Sequence, residues 1–339
     1  MQRSCFKSGV AACGTAVLLV ASVSVSPAQE GGGTLPGDIL GGAALIFRKP
    51  ENPPVGGGKA GKVVERQTPR PTSRAQDQII ARGNAARSAP IPRFSEAEEE
   101  YRQAARLDPG DARAFAGLGN VFIDQRRFAE AIEQYTHAVK LKPDYTDAYM
   151  PLGYALVALN RHAEAIETYN QALKLEPDNP EIFNNLGYIY NHTERYNEAV
   201  EACQQAIRLL GQTGQAYKQG YQTRNEVLSH AYKNLGNAYS GLKRYNEAAE
   251  SLKQATVIEP NNAAAHFNLG LALYNSRRYS EAIEAYKEVV KLKPALPPAH
   301  FNLGLAYFAI NDRSGAMTEY KALKALDPKM ADQLYGMIK

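Results

Sequence analysis

The side chains of this chain that could do chemistry are few and widely separated. Residues 56–62 have the spacing of a phosphate-binding loop, but Val63 occupies the place of the hydroxyl that would hold magnesium. Pro53 and Pro54 stand where a buried strand would have to end, and no helix pattern follows. We therefore interpret the match as a coincidence within a Gly-rich linker.

Thiols and imidazoles do not form a metal-binding or catalytic pattern either. The cysteines are Cys5, Cys13 and Cys203, and the first two lie in a segment that we expect to be removed. Cys203 is interpreted as a small buried residue, with a reactive thiol as the alternative. His266 and His300 occupy equivalent packing positions, so the sequence predicts no metal site and no cofactor.

Carboxylates recur regularly, which argues against an acid/base pair. A Glu at the same place in five of the six units marks a solvated helix face: Glu130, Glu164, Glu198, Glu247 and Glu281. The chain has no His-Glu-x-x-His and no nucleophile elbow on a parallel-sheet pattern. No catalytic residue is predicted, and an enzyme remains the remote alternative.

The elements that position these side chains are set by an internal repeat. A Leu-Gly pair recurs with successive glycine gaps of 34, 34, 49, 34 and 34 residues, at Gly119, Gly153, Gly187, Gly236, Gly270 and Gly304. After each glycine, large and small apolar residues follow at spacings of three, four and seven. These spacings predict two amphipathic helices per unit, usually separated from the next unit by Pro.

The pattern resembles the tetratricopeptide repeat family. The residues that carry the resemblance in one unit are Leu152, Gly153, Leu156, Ala165, Tyr169, Ala172 and Pro177. The usual Trp is replaced throughout, by Phe115, Tyr149, Phe183, Tyr232, His266 and His300. The resemblance implies an all-α fold, a right-handed superhelical solenoid of antiparallel helix pairs, and a scaffold that binds a peptide segment or protein in its concave groove.

The predicted organisation divides the chain into four regions. Residues 1–28 are a signal peptide, 29–75 a disordered Gly/Pro-rich basic linker, 76–330 the repeat array and 331–339 the start of a C-terminal capping helix. The array comprises a degenerate unit at 76–111, units at 112–145, 146–179, 180–213, 229–262, 263–296 and 297–330, and an insertion at 214–228. We expect the insertion to form a loop and a lengthened first helix that projects beyond the stack.

The N-terminal layout predicts a bacterial protein exported to the periplasm or cell envelope. Arg3 and Lys7 precede an apolar run of about 16 residues, which is short for a membrane span, and cleavage is expected after Ala28. The alternatives are a lipidated segment or a retained anchor in an envelope assembly component, with membrane contact through this segment. Residues 39–47 form an apolar segment that is out of place in a disordered linker, and docking in cis or on a partner is one interpretation of it.

The net charge of +4 over 339 residues, without clustered basic and aromatic residues on the repeats, disfavours nucleic acid as a partner. A protein or peptide partner is predicted instead, and the resemblance places it on first-helix residues not used for packing. Those we single out are Tyr154, Asn184, Tyr188, Lys233, Asn237, Phe267, Asn268, Leu271, Tyr274, Phe301, Leu305 and Phe308.

Six of these residues predict an exposed apolar patch in the last two units: Phe267, Leu271, Tyr274, Phe301, Leu305 and Phe308. Three interpretations remain open: a groove for apolar anchors of a partner, a homodimer face, or a surface covered by the C-terminal tail through Leu334, Tyr335, Met337 and Ile338. Separately, Lys233, Asn237 and Asn268 match part of a family clamp for a peptide's terminal carboxylate. Pro298 and Asn302 replace its further cations.

Overall fold

A computed structural model describes residues 71–212 and 223–339 of the protein. This part of the chain contains fifteen helices and no strand, packed as successive antiparallel pairs, which confirms the predicted solenoid. Four of the predicted features lie outside the described residues: the predicted signal peptide, residues 39–47, residues 56–62 and most of the insertion. The helices are α1 (Pro71–Arg87), α2 (Phe94–Leu107), α3 (Ala112–Asp124), α4 (Phe128–Leu141), α5 (Thr146–Ala158), α6 (His162–Leu175), α7 (Pro180–His192), α8 (Tyr196–Gln212), α9 (Arg224–Gly241), α10 (Tyr245–Ile258), α11 (Ala263–Asn275), α12 (Tyr279–Leu292), α13 (Pro297–Ala309), α14 (Arg313–Leu326) and α15 (Pro328–Ile338).

Close approach of the two helices in a pair depends on the repeated glycine. A Cβ atom on Gly153 would lie 2.4 Å from Cζ of Tyr169, a fully buried ring on the second helix. Cys203 takes the place of this ring in its unit, where it is fully buried. This burial confirms the prediction of a buried packing cysteine. It also raises the pKa of the Cys203 thiol, which favours the protonated form.

A left-handed residue reverses the chain between the two helices of six pairs, from α3–α4 to α13–α14. Arg126, Asn160, Glu194, Lys243, Arg277 and Asn311 all have φ between 57° and 64°, seven residues after the repeated glycine. The next N–H then bonds back across the helix end, as Arg127 N–H does to the carbonyl of Phe122 at 2.8 Å. Non-glycine residues in this conformation are strained by about 1 kcal/mol.

The first helices of the pairs form the concave row. Contacts between non-consecutive helices are concentrated among them, as between α7 and α9, α9 and α11, or α13 and α15. The second helices form the outer row. No helix in residues 71–212 or 223–339 is long and apolar enough to cross a bilayer.

The insertion lengthens two helices. The first helix α9 has 18 residues where α11 has 13, as expected, and α8 has 17 where α10 has 14, which was not expected. The added turn of α9 packs on that of α8, so the two extensions support each other. Val227 and Leu210 are fully buried together, and Arg224 Nε donates to the Leu210 carbonyl at 2.9 Å.

Candidate partner-binding groove

Amide side chains line the middle of the concave row. Asn234 Nδ2 on α9 donates to Asn184 Oδ1 on α7 at 2.9 Å, and both residues are fully buried. Asn191 Nδ2 donates to the Asn234 backbone carbonyl at 2.8 Å. These bonds fix α9 against α7 despite the insertion between them, so the fully buried Asn184 serves helix packing, and its groove role stays a prediction.

The three residues of the predicted carboxylate clamp lie together. Lys233 and Asn237 are one turn apart on α9, and Asn268 Nδ2 on α11 donates to Asn237 Oδ1 at 2.7 Å. Lys233 is only 5% exposed. Burial and, second, the nearby Lys233 charge lower the pKa of His230 to about 4, so His230 is neutral at pH 7.

Aromatic residues follow the amides towards the N-terminal half of the groove. The Tyr188 and His192 rings stack with centroids 4.2 Å apart on α7. The His162 ring centroid is 6.3 Å from that of His192. Tyr154 on α5 makes an edge contact with Phe128 at 5.9 Å. Tyr154 and Tyr188 thus each pack on a ring of their own or the adjacent helix, and Tyr188 is buried, so their place in the groove stays a prediction.

The expectation that six apolar residues are exposed is wrong for two of them. Phe267 is 1% exposed and packs against Tyr286 of its own pair, with ring centroids 5.8 Å apart. Phe301 is 4% exposed and belongs to the C-terminal core. The helical spacing alone did not reveal that this position turns towards neighbouring helices.

The other four apolar residues remain partly exposed. Leu271 and Tyr274 flank one core cluster, and Leu305 and Phe308 flank the next. We name these four the apolar groove surface. They lie on the first helices of the last two pairs, α11 and α13.

The C-terminal helix α15 covers one edge of that surface. Leu334 and Ile338 are buried in the cluster that Leu305 and Phe308 flank, whereas Tyr335 and Met337 are 40% and 39% exposed. A Cβ atom on Gly304 would lie 2.6 Å from Cδ2 of Leu334, so Leu334 takes the place that a second-helix ring such as Tyr169 has in other units. Tyr320, the corresponding ring of this unit, packs on Tyr335 instead. Two of the four tail residues expected to fold back therefore do so.

A hydrogen bond that the sequence did not suggest is made by three of the six residues in place of Trp, whereas Phe115 and Phe183 have no polar ring atom to make it. The Tyr149 hydroxyl donates to the Pro143 carbonyl at 2.8 Å, and His266 Nε2 lies 2.9 Å from the Pro260 carbonyl. His300 Nε2 makes the same contact with Pro294 at 2.8 Å. The recurring six-residue spacing between proline and ring was the available signal. At these three boundaries a ring N–H or O–H thus stabilises the turn between units.

The periodic glutamates are ion-paired. Each accepts a hydrogen bond from the arginine three residues before it, at the start of a second helix, in the pairs Arg127–Glu130, Arg161–Glu164, Arg195–Glu198, Arg244–Glu247 and Arg278–Glu281. The hydrogen bond from Arg161 lowers the pKa of Glu164, the direction opposite to that of a general acid. In residues 71–212 and 223–339 no group of three or more His, Cys, Asp or Glu side chains could hold a metal ion.

Two clefts lie outside the groove. One of about 590 Å³ is lined by residues of α6, α7 and α8, and one of about 560 Å³ by residues of α10, α11 and α12. Neither is lined by any of the twelve predicted groove residues. The second exposes Val257, which is 67% accessible.

Family profiles match most of the array. A profile described as tetratricopeptide repeat matches residues 93–146 and 233–297, and others of that description match 180–211 and 299–329. A profile described as TPR repeat matches 153–192. Together these matches cover more than half of the 339 residues. A comparison with curated proteins finds no match.

Solved structures with the same arrangement of helices include PilF of Pseudomonas aeruginosa. It is 21% identical, with a TM-score of 0.55 over 68% of this chain and 99% of that one. A tetratricopeptide repeat protein from Parabacteroides merdae is 14% identical, with a TM-score of 0.55 over 78% of this chain and 99% of that one. Cut9, in a hetero-tetramer with Hcn1, is 17% identical, with a TM-score of 0.53 over 77% of this chain and 52% of its own. At these identities the likeness is one of fold.

Proposed function

The chain belongs to the tetratricopeptide repeat family, and from that premise we propose that it is a non-enzymatic scaffold that binds a segment of a protein partner in its concave groove. The fold is typical of protein-interaction scaffolds. Cut9, which shares it, is found in a hetero-tetramer with Hcn1.

One observation carries the proposal: unpaired polar atoms are buried along the concave row. Asn191 Oδ1, Asn237 Nδ2 and Asn302 Nδ2 have no hydrogen-bond partner within residues 71–212 and 223–339. Such atoms are rare in folded proteins and cost about 1 to 3 kcal/mol each when left unsatisfied. An extended peptide backbone offers both donors and acceptors at regular intervals. It would pair these amides while its side chains contact the apolar groove surface.

A random-peptide phage library panned on the full chain tests the proposal. Affinities of the selected peptides are then compared for the native chain, Leu305→Lys and a matched outer-row change, Val257→Lys. We expect Leu305→Lys to weaken binding at least ten-fold, because a charge would be placed against apolar anchors, and Val257→Lys to have no effect. Equal binding to all three, with unchanged circular dichroism, would overturn groove binding.

Capture of a terminal carboxylate is a second candidate, favoured by the contact of Asn268 with Asn237 beside Lys233. It predicts that a selected peptide with a free C-terminus binds more tightly than its amidated form, and that Lys233→Met removes the difference. Pro298 and Asn302 supply no further cation, so the contribution is expected to be small.

For the cellular setting we propose export to the periplasm or cell envelope, based on the layout of residues 1–28. A membrane-anchored envelope component is the alternative if that segment is retained. A homodimer face remains the alternative occupant of the apolar groove surface. Light scattering of the full chain distinguishes a dimer from a monomer directly.

A further inference from the structure

At the apolar groove surface, partly exposed apolar side chains lie on the same helices as a buried amide. Leu271, Tyr274 and Leu305 are each only partly buried, and α15 covers only one edge of the surface. Asn302 Nδ2, on the same helix as Leu305, is buried and has no partner among the residues that the structure describes. An occupant must therefore present apolar side chains together with free backbone carbonyls, as an extended segment does.

The chain enters the array on the concave row. Helix α1 is held to the next first helix, α3, by Arg113 Nη1 to Asp77 Oδ1 at 2.7 Å, and to its N-cap by Gln76 Nε2 to Asp111 Oδ2 at 3.2 Å. Residues before Pro71 therefore start from the row of helices that carries the apolar groove surface.

The length of chain before α1 is sufficient to reach that surface. The 24 residues from 47 to 71 span at most about 80 Å when extended. Six unit spacings separate α1 from α13, and at about 8 to 10 Å each this is roughly 50 to 60 Å.

The composition of one N-terminal segment matches the surface. Residues 39–47, Ile-Leu-Gly-Gly-Ala-Ala-Leu-Ile-Phe, are the longest run without a polar side chain between 29 and 75. Leaving so many apolar side chains in water is unfavourable, by about 25 cal/mol per Å². Gly41 and Gly42 would let the backbone approach the groove amides closely.

We propose that residues 39–47 of this chain occupy the apolar groove surface when no partner is bound, so that a partner must displace them. This assignment rests on the proposed groove function, and it identifies residues 39–47 as the segment that competes with a partner for the groove. The occupant supplies apolar anchors from Leu45, Ile46 and Phe47 and backbone carbonyls to Asn302 and Asn237.

Photo-cross-linking in the full chain tests the position of the segment. Phe47 is replaced by p-benzoylphenylalanine, and the same replacement at Leu35 is the matched control. We expect adducts from position 47 to α11 or α13 within a monomer, lost in Leu305→Lys and kept in Val257→Lys. Adducts between two chains, or none to these helices, would overturn the proposal.

A binding measurement separates this proposal from the function it rests on. The probe is a synthetic peptide of residues 37–50, added to the native full chain, to Leu45→Asp/Ile46→Asp and to the control Val63→Asp/Val64→Asp. We expect the first variant to bind the probe at least ten-fold more tightly than the other two. If the three chains bind the probe equally and Leu305→Lys weakens that binding, only the proposal that residues 39–47 compete is overturned. If Leu305→Lys weakens the binding of no peptide, the proposed groove function is overturned as well.

Discussion

His300 Nδ1 lies 2.6 Å from Glu319 Oε2, joining the start of α13 to the middle of α14. The other ring nitrogen faces the Pro294 carbonyl at 2.8 Å. The carbonyl and an ionised carboxylate can only accept, so these two contacts favour the protonated imidazole, in which both ring nitrogens donate. Hydrogen bonding to Glu319 raises the pKa of His300 above 6.5, against the opposing effect of burial.

This pair predicts a pH dependence of the last helix pair. Because the folded pKa of His300 is raised, its stabilisation is fully present below about pH 6.5 and is lost as pH rises through the folded pKa. We expect hydrogen exchange of α13 and α14 amides to show about 1 kcal/mol less protection at pH 9 than at pH 6. In His300→Tyr, which keeps a donor to Pro294 as Tyr149 does to Pro143, the difference should vanish. Glu319→Ala, which copies Ala285 of the preceding unit, should also remove it. A pH difference that persists in both variants would contradict the assignment.

Gly153→Ala should destabilise the array. Its Cβ would lie 2.4 Å from the buried Tyr169 ring, so the helices must separate, at a cost of about 1 to 3 kcal/mol. Gly336→Ala in α15 is the control, because its Cβ meets nothing within 4 Å. There, higher helix propensity should stabilise by about 0.5 to 1 kcal/mol. Urea denaturation followed by circular dichroism measures both, and the same sign for the two changes would refute the packing argument.

Arg277→Gly should stabilise the chain slightly. Arg277 has φ of 64°, and glycine removes the left-handed strain, with an expected gain of up to about 1 kcal/mol. Lys287→Gly, in an exposed helix interior, should instead destabilise by about 1 kcal/mol. Thermal unfolding temperatures of the two variants should move in opposite directions.

Phe267→Ser should reduce stability rather than act only on partner binding. The ring is almost completely buried against Tyr286, and replacing it leaves a cavity and a buried hydroxyl at a cost of about 3 to 5 kcal/mol. Tyr274→Ser, at a partly buried ring, should cost less than half as much. Equal losses in denaturant titrations would show that Phe267 is more accessible than the structure indicates.

The mature N-terminus distinguishes free export from anchoring. Sequencing of the protein purified from its native envelope fraction should begin at Gln29, as the layout of residues 1–28 predicts. A start at Met1 or Gln2 would favour the anchored alternative. A lipid-modified start at Cys13 would favour lipidation.

The repeat itself was readable from the sequence, because it depends on contacts between residues close in the chain. Gly153 and Tyr169 are 16 residues apart, within one helix pair, so their types and spacing already specify the pair. The same holds for the buried Cys203, whose place in the period predicted its burial. The replacement of a ring by Cys203 at a periodic position therefore did not mislead the prediction of burial.

The tertiary structure decided which first-helix side chains remain accessible, because that depends on how each helix turns against neighbours from other units. Phe267 and Leu271 are one turn apart on α11, yet the first is buried and the second partly exposed. Leu334 of α15 displaces Tyr320 from Gly304, a contact across 30 residues that no local spacing encodes. The sequence by itself determined the array of helix pairs; the packing between pairs, which follows from long-range contacts, determined the groove.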